Sequence, residues 1–159
     1  MTEQVGGVVA QKLRYVDVLL INPWQLEMTQ AKGFKVPDDA TVNIANPICY
    51  LAQKLLVLSR RPLDKQAKDI LYIHDTLNIL APSFDKLNAA WPAVKQEMPH
   101  LWVTDLQKQV NAPFTASDLR IIGAAEIART SGRPEPPSPE RIGEVCRVGL
   151  KQIFSDDAN

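Results

Sequence analysis

Five cations and two carboxylates crowd one short stretch of the chain: Lys54, Arg60, Arg61, Lys65 and Lys68 against Asp64 and Asp69. Residues 1–53 carry four basic and five acidic residues and residues 70–159 nine and eleven, so a chain of zero formal charge has a single basic concentration. These residue types suit phosphate. A lysine supplies a compact charge, an arginine grips two oxygens at once, and a neighbouring carboxylate orients the lysine or accepts a proton. Lys54 and Arg61 stand seven residues apart and share a face if one helix runs that far. The same spacing also describes a solvated basic elbow in which Lys54 snorkels past its leucine neighbours.

The elements that hold these residues can be read from caps and periodicity. Asn46-Pro47 opens a helix, since asparagine caps orphan amides and proline is preset for the first helical position. Leu51, Leu55 and Leu58 carry that helix to about Arg60, and Pro62 ends the segment. A second helix, Leu63–Leu80, buries Ile70, Ile73, His74, Leu77 and Leu80, and the two form an antiparallel hairpin. Upstream, Val16–Ile21 reads as a buried strand bounded by Asn22-Pro23. Phe34–Val36 and Thr41–Ile44 read as a hairpin around Pro37-Asp38-Asp39, with Val42 and Ile44 on one face. Downstream, helices are expected over Ser83–Gln96, Leu101–Val110, Thr115–Arg129 and Ser138–Phe154, with Thr115 and Asp118 as a capping box and Ser138-Pro139 as a second cap signal. The expected fold is α+β, mostly α: a strand-containing segment over residues 1–45 and a helical domain over 46–131, six helices in all. A proline-rich linker over 132–137 and a C-terminal helix, 138–159, packing on the same body complete it.

One stretch resembles a known family. VNIANPICYLAQKLLVLSRRPLDKQAKDILYIHDTLNIL, residues 42–80, is similar to the segment that follows the catalytic sheet in bacterial nucleotidyltransferase-fold proteins of the polymerase-beta superfamily, those with an NPxxYxxxKLL…RR…KxxKDxxYIxDT pattern. More distantly it resembles the abortive-infection type IV toxin nucleotidyltransferases, and AQKLRYVDVLLINPW, residues 10–24, resembles the stretch leading into it. The resemblance covers roughly the first half of the chain. It implies Lys54 and Asp69 as the catalytic pair and Lys54, Arg60, Arg61 and Lys68 as nucleotide-binding residues, in a protein that transfers a nucleoside monophosphate from an NTP to RNA or protein with Mg²⁺. Such transfer needs positioning and charge neutralisation more than covalent chemistry. The family's Gly-Ser turn and metal-binding aspartate pair have no counterpart, since the chain contains no Gly-Ser pair. The expectation is therefore a C-terminal portion, inactive alone, whose Mg²⁺ and NTP site is completed by a missing N-terminal half or a partner chain. Asp17, between Val16 and Val18, is the remaining metal candidate, with solvent or Arg14 as its other reading.

Composition excludes other classes. Apolar residues make up 45% and charged residues 23%, the balance of a globular protein. Cys49 and Cys146 lack CxxC spacing, no leader is evident, and no apolar run approaches a membrane span, which together read as cytoplasmic. No HExxH, Cys/His cluster, P-loop, dinucleotide glycine motif or GxSxG is present. Neutral charge and no recognition helix oppose sequence-specific DNA binding. His74 reads as a hydrogen-bonded core histidine, Trp91 and Trp102 as core residues or stacking platforms, and Trp24 as a cover for the small sheet's edge. The competing reading is a non-catalytic helical interaction module, possibly homodimeric, docking through the hairpin or through the C-terminal helix with its Ile142, Val145, Cys146, Leu150 and Ile153 face.

Overall fold

A computed structural model describes residues 2–5, 8–11, 14–29, 33 and 40–155. Two separate hairpins precede the helices: β1 (Thr2–Val5) pairs antiparallel with β2 (Val8–Gln11), and β3 (Trp24–Met28) with β4 (Ala40–Ile44). Six α-helices follow among the described residues: α1 (Pro47–Leu58), α2 (Leu63–Leu80), α3 (Phe84–Glu97), α4 (His100–Val110), α5 (Leu119–Thr130) and α6 (Pro139–Phe154). The α+β, mostly helical fold is as expected.

The site hairpin forms for the reasons its sequence gives. The Asn46 Oδ1 accepts from the backbone amides of Ile48 (2.8 Å) and Cys49 (3.4 Å), and Pro47 takes the first turn. Ile48, Leu51, Ala52, Leu55 and Leu58 of α1 and Ile70, Ile73 and Leu77 of α2 are fully buried, so each helix presents one continuous apolar stripe. Two turn bonds, Arg60 N–H to Val57 O and Arg61 N–H to Leu58 O, end α1 just before Pro62, and α2 starts at Leu63. The opposite flank of α2 carries α5 at short range, because a Cβ on Gly123 would stand 2.9 Å from the Cβ of Ala67. Helix α6 closes the body with Ile142, Cys146, Leu150 and Ile153 inward.

Several expectations need correction. Val16–Leu20 is a 3-10 helix and not a strand. Left-handed residues stand at both ends, Tyr15 (φ 60°) and Asn22 (φ 42°), and Tyr15, Val18 and Ile21, three residues apart, pack on the core. A three-residue repeat matches 3.0 residues per turn, whereas a strand would alternate by two. Strand β4 contains Thr41–Ile44, but its partner is β3, in the register Trp24↔Ile44 and Leu26↔Val42. Val42 and Ile44, two residues apart in β4, do share one face, which is half-buried at Val42 and exposed at Ile44. The Phe34–Val36 strand and its Pro37-Asp38-Asp39 turn lie outside the described residues. Asp118 is the N-cap of α5, accepting from the Arg120 amide at 2.8 Å, and Thr115 begins the preceding turn; the pair is not a capping box.

Candidate functional site

The seam between α1 and α2 gathers the charges. Lys54 projects from the third turn of α1 and Asp69 from the second turn of α2, and the Lys54 amine donates to Asp69 Oδ1 at 2.9 Å. Arg61, in the turn between the helices, donates through Nη1 to both Asp69 oxygens, at 3.2 and 3.0 Å. The Asp69 side chain is 1% exposed, Lys54 14% and Arg61 40%, a gradient from a buried anion to an open cation. A buried carboxylate persists as an ion only when paired and hydrogen-bonded, and these two cations meet that need while leaving one positive charge over.

Two tyrosines complete the seam. The Lys54 amine lies 5.6 Å from the Tyr50 ring centroid and 5.1 Å from that of Tyr72, and the Lys68 amine lies 5.7 Å from the Tyr72 ring. Tyr50 is one helical turn before Lys54 and Tyr72 three residues after Asp69, so each is on the face of its neighbour. Burial, reinforced by Asp69, Tyr72 and Asp75, raises the Tyr50 pKa above its ordinary value and keeps the hydroxyl neutral. Both rings are fixed letters of the NPxxYxxxKLL and KDxxYIxDT patterns, but sequence reasoning gave them no role; their offsets of four residues from Lys54 and three from Asp69 were the available signal.

The consecutive arginines diverge. Arg61 turns to Asp69, whereas the Arg60 guanidinium lies 5.7 Å over the Tyr15 ring, facing a separate polar cleft with Ser59 and Lys108. Asp17 is exposed within the 3-10 helix and has no ion pair among the described residues. The described residues do not fit a metal pair. No group of three or more His, Cys, Asp or Glu side chains converges among them, and the one buried carboxylate of the seam already serves two cations.

The seam's chemistry is electrostatic. Both Asp69 oxygens accept from cations, so the carboxylate holds Lys54 and Arg61 in place. Arg61 uses Nη1 alone, leaving Nη2 and Nε without a partner among the described residues, a fork matched to a phosphate.

A second polar network lies farther along α2. His74 Nδ1 is 3.1 Å from Asp75 Oδ1 and its Nε2 is 2.9 Å from Asn78 Nδ2, so a neutral ring donates to Asp75 and accepts from Asn78. Arg133, from the stretch between α5 and α6, holds Asp75 through both nitrogens, at 2.9 and 2.6 Å. The Arg133 bond, more than any other contact, lowers the Asp75 pKa, while burial lowers that of His74 against the opposing pull of Asp75. Between the depressed folded pKa and the ordinary 6.5, the unfolded chain binds the proton and the folded one does not. The His74 contribution is therefore present above pH 6.5 and lost as pH falls towards the folded value. Urea midpoints should drop between pH 7.5 and pH 5, and His74→Gln should flatten that slope; an unchanged slope in the variant would place the titration elsewhere.

A family model described as nucleotidyltransferase matches residues 1–95, which span all four strands, α1, α2 and most of α3. The chain belongs to this nucleotidyltransferase family, and the match contains the whole seam. Neither a curated protein nor a solved structure matches. No helix among the described residues is long and apolar enough to cross a membrane.

Proposed function

We propose that the α1–α2 seam binds the phosphates of a nucleoside triphosphate, with Lys54, Arg61 and Lys68 facing them and Asp69 holding the first two in place. The family match supports this reading, and one observation carries it: a buried carboxylate gripping Lys54 and Arg61 while part of the Arg61 fork stays open. Pre-positioned cations lose little freedom when an anion arrives. The reaction served is transfer of a nucleoside monophosphate to an RNA or protein acceptor. This chain supplies the cations but not, among the described residues, the clustered carboxylates for metal, so transfer by the chain alone is not expected. Isothermal titration with an NTP and Mg²⁺ should show saturable binding, weakened about 10- to 100-fold in Lys54→Gln, as for loss of one charge-assisted bond of ~1.5–3 kcal/mol. No heat in either protein would remove the nucleotide site.

One observation favours a second reading. Both sheets have only two strands, leaving outer edges open among the described residues, and open edges favour association. A homodimeric interaction module would then elute at twice the monomer mass in light-scattering chromatography, and a monomer at high concentration would dismiss it.

A further inference from the structure

One turn along the same seam, the surface changes from cationic to apolar. Ala45, Pro47, Tyr50, Thr76, Ile79 and Leu80 line an open apolar cleft of about 220 Å³, smaller than the roughly 300–1,000 Å³ of drug-sized sites, and Ile79 is 78% exposed. Tyr50 belongs both to the cleft and to the Lys54 pair, and Thr76 stands one turn beyond Tyr72, so cleft and cations share one face. From Lys68 to Ile79 the face runs roughly 16 Å at 1.5 Å per residue. An occupant complementary to the whole face is apolar and planar at one end and polyanionic at the other.

We propose that this cleft seats the base and sugar of the nucleotide whose phosphates meet Lys54, Arg61 and Lys68, the base lying on the Tyr50 side with Ile79 against it. The inference rests on the phosphate reading above and adds the ligand's other half. Side-chain hydrogen-bonding groups in the cleft are confined to the Thr76 and Tyr50 hydroxyls, too few to read a base edge, so the site takes a nucleoside triphosphate with little choice among bases.

Titration of the full chain with inorganic tripolyphosphate and, separately, with ATP, CTP, GTP and UTP separates the two claims. The four nucleotides should bind within a few-fold of one another and at least tenfold more tightly than tripolyphosphate. Ile79→Ser, at an exposed position that does not threaten folding, and Thr76→Trp, which fills the cleft, should erase that advantage and leave tripolyphosphate affinity unchanged; Lys54→Gln should weaken both ligands. Tripolyphosphate binding that matches the nucleotides, or a nucleotide advantage that survives both cleft variants, overturns the base site while the phosphate site stands. Binding of neither ligand defeats both.

Discussion

Lys54→Ala should destabilise the free protein by about 3 kcal/mol, and by more than Asp69→Ala does. The asymmetry follows from burial. Removing Lys54 leaves the carboxylate of Asp69, almost wholly enclosed, with only the half-open Arg61 as counterion. A buried ion stripped of a partner keeps its desolvation cost and loses the attraction that offset it. Removing Asp69 instead frees two cations that can swing to water, costing roughly 1–2 kcal/mol for the lost bonds and packing. At ~2–4 °C per kcal/mol for a chain of this size, the melting temperatures separate clearly. Equal losses, or a greater loss for Asp69→Ala, would mean that the carboxylate is better solvated than its burial indicates.

A loss of about 3–5 kcal/mol is expected from Trp91→Ala, the cost of emptying a large aromatic site. Trp91, on α3, is fully buried and meets the ring of Phe154, at the end of α6, edge-on with centroids 5.0 Å apart and planes at 83°. The ring thereby couples the middle of the chain to its last helix. Its indole nitrogen finds no acceptor among the described residues. Trp91→Phe gives up part of the packing and no hydrogen bond, so it should lose less than half as much. Urea denaturation checks both; a tryptophan-to-phenylalanine cost equal to the alanine cost would reveal an indole hydrogen bond.

The helical half of the fold was legible because its signals are local. Asn46 and Ser138 cap where their side chains predict, Pro62 separates α1 from α2, and the apolar stripe of Leu63–Leu80 has the period of a helix throughout. The N-terminal part was less legible. A run such as Val16–Leu20 is apolar enough for a strand, and only the left-handed backbone of Tyr15 and Asn22, residues that carry no glycine signature, makes it a 3-10 turn. Strand partners are long-range choices, and β4 found β3 through a register that no single segment encodes.

The site divides in the same way. The closeness of Lys54, Arg61 and Asp69 follows from a helix hairpin and could be read from spacing. The divergence of Arg60 from Arg61 could not, because it depends on how the chain leaves α1 and on Tyr15, far away in sequence. The Asp75–Arg133 pair is equally remote in sequence. Its arginine lies in a stretch that sequence treats as a linker, yet it is bonded to the central helix.

The phosphate-binding seam is tested most directly by the spectrum of a single side chain. In a protein carrying ¹⁵N in its lysines, the Lys54 ammonium should be visible at low temperature because Asp69 holds it, and adding an NTP should shift it together with Lys68. Lysines remote from the seam, such as Lys151, should stay in place. An unmoved Lys54 signal at saturating nucleotide would contradict the account.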